Sequence, residues 1–265
     1  MRTKTPTAIA AALLGLSLAV AGCSSSAPSG STESAAPATE SKTVTVFAAA
    51  SMKTTFTELG KTFESSHEGT KVTFNFAGSQ TLAEQITQGA QVDAFASANE
   101  ANMKTVTDAG LAAGEPKIYA TNTLEIAVPP DNPAKITSFS DLAKKDVKVV
   151  VCAPVVPCGA ATEKVEKATG IALSPVSEEQ AVTDVLAKVQ AGEADAGLVY
   201  KTDVLAAGDS VKGVPFAESK EAVNRNSIVG LKSGPQAALG QEFVDLVLSS
   251  DGQKVLADAG FGPAE

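Results

Sequence analysis

The sequence predicts an α/β fold, with parallel or mixed sheets covered by helices on both faces and a division into two lobes. Three observations lead there. Strand-like and helix-like segments alternate along the chain after residue 42. Two early stretches share one plan: a β-rich run, then tiny residues, then a serine that opens a helix. A valine-rich run at 147–151 reads as a buried strand of the kind parallel sheets contain.

Each element has its own signal. The first stretch runs from Val44 to Ala50, closes on Ser51 and leads into a helical pattern at 52–63. The second runs from Val72 through Gly78 to Ser79 and leads into a helix at 80–87. Residues 93–98 read as a short buried strand, and 100–109 as a helix stopped at Gly110. The strand at 123–128 is ended by Pro129 and Pro130, which cannot continue a ladder. A short helix at 138–144 precedes the strand at 147–151. The helix at 159–169 stops at Gly170, and 173–177 reads as a strand. The run 181–191 sets Val182, Val185, Leu186 and Val189 on one helical face and ends at Gly192. Strands follow at 196–200 and 226–231, then a helix at 235–248 with Pro235 in its first turn. No fixed-period repeat is present, so a solenoid is excluded. The expected lobes are 43–124 plus 223–265, and 125–222. Ligands of open α/β sheets sit beyond the carboxyl ends of the strands, and two lobes let those ends face each other across a cleft.

The chain carries 30 Asp and Glu against 21 Lys and Arg, a net charge of −9. There is no basic stripe or aromatic stacking platform, so nucleic acid is excluded as a partner. Beyond Arg2, Arg225 is the remaining arginine; His67 is the one histidine, and tryptophan is absent. A clamp of several arginines on a phosphate or dicarboxylate is therefore unavailable. An acidic protein of this kind binds an anion through local dipoles rather than through its overall field. Helix N-termini supply such dipoles, because their first N–H groups have no intrahelical acceptor. Small residues admit a ligand close to the backbone, and a serine adds one hydroxyl donor. Two such turns converging on one point would hold a small anion without formal positive charge.

Hydrolysis has little support. His67 lies in a polar helix-end context, Ser51 and Ser79 have no identifiable base, and neither a Gly-x-Ser-x-Gly elbow nor a phosphate-binding loop is present. A purely structural role is a further alternative. Asp93 reads as a brace for a turn, Arg225 as an ion-pair or hinge residue, and Lys144, Lys145 and Asp146 as solvated surface.

The N-terminus reads as a secretory signal: Arg2 and Lys4, then an apolar run at 8–21 too short for an ordinary membrane span. Val20-Ala21-Gly22-Cys23 resembles a bacterial lipobox, which implies cleavage after residue 22 and a lipid on Cys23. The segment 23–42, rich in Ser, Ala, Pro, Thr and Glu, reads as a flexible tether. Export places Cys152 and Cys158 in an oxidising setting, where their proline-stiffened loop can close as a disulfide. A zinc site is the rival, but two thiols with no nearby histidine offer too few ligands.

Four segments then point to a family. They are Val46-Phe47-Ala48-Ala49-Ala50-Ser51, Phe76-Ala77-Gly78-Ser79-Gln80-Thr81-Leu82, Asp93-Ala94-Phe95-Ala96-Ser97-Ala98 and Ala196-Gly197-Leu198-Val199-Tyr200. In that order, and with Ala259-Gly260-Phe261 near the end, they resemble the periplasmic molybdate-binding component of ABC importers over 43–265. The resemblance implies a type II periplasmic-binding-protein fold whose two lobes close on molybdate or tungstate in the interlobe cleft. It also implies a monomer with no cofactor, an ABC permease as partner, and an exported position on the outer face of the cell membrane, held there only by the lipid on Cys23. Carried over by position, Ser51, Ser79 and Tyr200 would supply hydroxyls, and Cys158 and Val182 backbone amides. Molybdenum would be present only inside the oxyanion, with no protein atom bound to the metal. Cys158 and Cys152 depart from the commoner pattern; a backbone donor tolerates that change. Sulfate, or another small oxyanion, is the alternative ligand. Such a site rejects species that must keep a proton, such as hydrogen phosphate, and rejects sulfate by size alone.

Overall fold

The computed structural model describes residues 41–264; the expected signal peptide, Cys23 and nearly all of the tether lie outside the described residues. Strand β1 (Lys42–Ala49) is flanked by β2 (Thr70–Ala77) and β3 (Ala94–Ser97), both parallel to it. A return strand, β10 (Asn224–Gly230), runs antiparallel between β3 and β4 (Lys117–Asn122). The second sheet contains β5 (Leu124–Val128), β6 (Val149–Cys152), β7 (Ser177–Glu179), β8 (Ala196–Tyr200) and β9 (Lys212–Val214). The strand orders, β2-β1-β3-β10-β4 and β7-β6-β8-β5-β9, follow the same plan. In each, three parallel strands meet one antiparallel strand that has just come from the other sheet. The chain changes sheet at Thr123, between β4 and β5, and again between β9 and β10.

Helices α1 (Lys53–Ser66), α2 (Ser79–Thr87), α3 (Glu100–Asp108), α7 (Ala237–Leu248) and α8 (Ser250–Asp258) pack with the first sheet. The second sheet carries α4 (Pro157–Thr169), α5 (Val182–Gln190) and α6 (Lys201–Ala207). The two cores differ in chemistry. Phe56 and Phe63, two turns apart on α1, meet Phe243 of α7 edge-on at centroid distances of 5.8 and 5.7 Å. Each such pair adds about 0.5–1.5 kcal/mol beyond area burial. The second core is mostly aliphatic, built on Val149, Val150, Ile126 and Leu198 with Val185 and Val189 of α5, and one stacked aromatic pair, Phe139 and Phe216, joins it.

Asp93 ties the first lobe together. It is fully buried, and its two carboxylate oxygens accept the N–H groups of Thr45 (2.7 Å) and Gln236 (2.6 Å). Its own backbone bonds Thr45 and Leu231. One side chain thereby joins β1 to the start of α7, a long-range tie rather than the local turn brace read from the sequence.

Several elements differ from expectation. The strand expected at 173–177 lies at Ser177–Glu179, because Pro175 lacks the N–H a ladder needs. The helix expected at 138–144 is a 3₁₀ turn at Phe139–Ala143. The strands β4 and β9 and the helices α6 and α8 had no matching expectation. β4 mixes polar residues, β9 has three residues, α6 follows β8 without a break, and α8 restarts after the single residue Ser249.

Asp93→Ala leaves two partly buried N–H groups without acceptors. It is expected to lower unfolding free energy by about 2 kcal/mol, read as a reduced urea midpoint at unchanged slope.

Candidate functional site

All five sequence-predicted ligand positions line one small cavity between the lobes: Ser51 and Ser79 from the first, Cys158, Val182 and Tyr200 from the second. The cavity amounts to about 200 Å³, part of it open to solvent. It sits beyond the carboxyl ends of β1, β2, β6 and β8, where the topology of open α/β sheets puts ligands. Among the described residues, no Asp, Glu, Lys, Arg or His lines it.

Helix starts build its walls. Beyond β1 a 3₁₀ turn, Ala50–Met52, leads directly into α1, and its cap residue Ala49 has no side chain to offer. The caps of α2, α4 and α5 are Gly78, Val156 and Ala181, and none makes a side-chain hydrogen bond to its helix. By contrast, Asn99 caps α3 through Asn102 N–H, and Ser249 caps α8 through Gly252 N–H. The first N–H groups of these four helical segments therefore have no side-chain cap, whereas α3 and α6, which also start beside cavity-lining residues, Ala98 and Tyr200, have Asn99 and Asp203 at their first turns. Ser51 and Ser79 are not N-caps, which was their ordinary alternative. Ser79 is the first residue of α2, and Ser51 lies inside the 3₁₀ turn.

The three hydroxyls differ in their partners. Ser51 Oγ is buried and has no hydrogen-bond partner. Ser79 Oγ accepts the Ala98 N–H at 3.0 Å. Tyr200 Oη accepts from Asn224 Nδ2 at 2.9 Å. Burial, followed by the neighbouring Asp203, pushes the Tyr200 phenol well above its ordinary value, so it stays protonated and able to donate at neutral pH. Asp203 lies behind the site, where its carboxylate accepts the Tyr200 N–H at 2.9 Å. Burial pushes its pKa up to about 7, against the opposing Tyr200 hydrogen bond.

Two close approaches shape the walls. A Cβ at Gly78 would lie 2.2 Å from Gln180 O of the other lobe, so only glycine fits that contact. Gln80, next in α2, donates to the same carbonyl at 3.0 Å. The structure joins Cys152 and Cys158 as a disulfide with a Cα separation of 5.6 Å. It links the end of β6 to the first turn of α4, whose Cys158 N–H faces no helical acceptor. No cluster of three metal-ligating side chains exists among the described residues.

The remaining candidates lie elsewhere. His67 stacks on Phe63 and meets Glu242 at 2.8 Å. Arg225 approaches Glu100 at 3.8 Å, and Lys144 pairs with Asp141 at 2.7 Å. Asn224 and Gln80 were not singled out from the sequence. Each amide reaches a backbone carbonyl 100 or more residues away, Gln180 O for Gln80 and Ala98 O for Asn224, and no local pattern announces them.

Residues 44–262 match the family model described as bacterial extracellular solute-binding protein. The chain belongs to that family, whose members bind solutes rather than transform them. The molybdate-binding protein ModA of Mycobacterium tuberculosis is 48% identical over 239 residues, 90% of this chain and 91% of that protein. The Bacillus subtilis protein YvgL, a putative ABC transporter substrate-binding lipoprotein, is 31% identical across 92% of this chain and 93% of its own. Among solved structures, the periplasmic molybdate-binding protein of Azotobacter vinelandii shares the fold at a TM-score of 0.71 and 20% identity, covering 84% of this chain and all of that one. No helix among the described residues is long and apolar enough to cross a membrane.

The Asp203 shift has a definite sign. Its folded pKa lies above the ordinary 3.8, so its contribution to stability is complete below about pH 4 and is lost as pH rises through about 7. Asp203→Asn mimics the protonated form and keeps an acceptor for Tyr200 N–H. Relative to wild type, the variant is expected to gain stability progressively between about pH 4 and about pH 7, as measured by urea unfolding across that range.

Proposed function

We propose that this protein captures molybdate, and tungstate with it, outside the cytoplasm and delivers it to an ABC permease. The observation that carries the reading is the interlobe cavity, walled by uncapped helix starts and neutral hydroxyls, with no charged side chain on it among the described residues. A tetrahedral oxyanion presents only acceptors and needs only donors. The hydroxyls of Ser51, Ser79 and Tyr200 and the N–H groups of Cys158 and Val182 are the ligands. Helix dipoles add positive potential at the same point. The enclosed space is far smaller than the sites that hold drug-sized molecules, which limits the ligand to a small ion. The relatives named as molybdate-binding proteins support this choice of ion.

Capture proceeds by closure. The two chain crossings between the sheets act as the hinge, and the anion favours the closed state because only there do donors from both lobes reach it. The closed monomer docks on the permease. A lipid on Cys23 holds the protein at the outer face of the membrane, a reading supported by the lipobox-like sequence and the lipoprotein relative.

Calorimetric titration of the purified protein is expected to show one-to-one binding of molybdate and tungstate, with hydrogen phosphate silent. Hydrogen phosphate would leave a donor proton without an acceptor, at a cost of about 1–3 kcal/mol. Sulfate carries no such proton, so its titration reads cavity size; tight sulfate binding with weak molybdate binding overturns the choice of ion. Ser51→Ala and Ser79→Ala should each weaken molybdate binding about tenfold to a hundredfold, the worth of a hydrogen bond to a charged group, with the fold retained. Unchanged affinity in both removes these serines from the site.

A further inference from the structure

Asn224 opens β10 where the chain re-enters the first lobe, and it is 7% exposed. Its amide nitrogen lies 2.9 Å from Ala98 O, 2.9 Å from Tyr200 Oη and 3.5 Å from Pro157 O. Two of these three are backbone carbonyls, which only accept, so the nitrogen and not the oxygen of the amide must face this cluster. The amide group has two hydrogens. The shorter contacts assign one to Ala98 O and one to Tyr200 Oη.

A phenol oxygen that accepts from an amide hydrogen keeps its own hydrogen for another partner. Tyr200 is buried against the cavity, so that partner lies in the cavity. Ser79 is arranged alike. Its Oγ accepts from Ala98 N–H, and Ala98 O in turn is held by Asn224. One continuous chain of hydrogen bonds, Ser79–Ala98–Asn224–Tyr200, therefore sets a hydroxyl from each lobe in the same sense. Each hydroxyl oxygen accepts one protein hydrogen bond, and each keeps its own proton free to donate into the cavity.

We propose that Asn224 is a positioning residue for the anion: by donating to the Tyr200 oxygen it turns the Tyr200 proton toward the cavity, and it joins Tyr200 to the Ser79 side of the site across the cleft. Asn224 is not among the cavity-lining residues and acts through Tyr200. The inference rests on the oxyanion reading above and adds to it the reason the hydroxyls present protons rather than lone pairs. It also names the residue that a site accepting protonated anions would have to change.

The test is a double-mutant cycle on molybdate affinity, measured by calorimetry, with Asn224→Ala and Tyr200→Phe made singly and together. Asn224→Ala is expected to weaken binding about tenfold in the parent, close to the worth of one charged hydrogen bond. In the Tyr200→Phe background the same change is expected to cost less than about twofold, because no hydroxyl remains to be oriented. Asn224→Leu, which keeps the approximate shape and removes both donors without adding a charge, repeats the cycle and stands in should the alanine variant fail to fold; ligand-free thermal melts check folding throughout. Equal losses in both backgrounds mean that Asn224 acts by packing alone, and they overturn the inference while leaving the oxyanion reading intact. A parent protein that binds no molybdate overturns the oxyanion reading, and this inference with it.

Discussion

A helix that begins without a side-chain cap keeps its first N–H groups open, and around one cavity this chain does so in four helical segments. α8, away from the cavity, and α3, which starts beside the lining residue Ala98, carry their own Ser and Asn caps. A cap contributes about 1 kcal/mol, so the uncapped starts forgo stability that an anion returns on binding. Closure without ligand gathers unmatched donors, and closure with ligand satisfies them. On the proposed reading, capture and lobe closure are thereby coupled through the backbone itself.

The sheet plan delivers those starts to one place. In both sheets the parallel strands run toward the cleft, so each strand-to-helix turn opens there. Ala49, Ala50, Ala77 and Gly78 keep the first-lobe turns thin enough for the other lobe to close over them. Asp93 holds β1 to the C-terminal segment from behind, and the disulfide holds the turn between β6 and α4. The cavity is small because rigid turns meet across it with nothing longer than a tyrosine between them.

The electrostatics follow from the same choice. A chain of net charge −9 would repel an anion at long range, and no lining cation offsets that. On the proposed reading the site works instead by short-range dipoles in a partly desolvated space, where each donor counts for more than it does in water. The buried Asp203 fits this scheme. Desolvation opposes its ionisation, which limits the negative charge placed behind Tyr200.

Most of the alternation of strands and helices was legible in the sequence, because it rests on local periodicity and on Gly and Pro stops. The misses fall where local signal is thin: the three-residue β9, the polar β4, and α6 and α8, which begin without a turn of their own. Ser51 and Ser79 stood out because tiny residues before a serine that opens a helix are a local pattern; Tyr200 came only through the family resemblance. The sequence by itself determined which residue types border each turn, and so that any binding there would rest on neutral donors. The tertiary structure alone decided that these turns converge, that Gln80 reaches the carbonyl of Gln180, and that Asn224 and Ala98 leave Tyr200 and Ser79 as donors. The reason is physical: the direction of a hydroxyl proton is set by the partner of its oxygen, and those partners lie 24 residues away for Tyr200 and 19 for Ser79, brought into place only by the packed sheets.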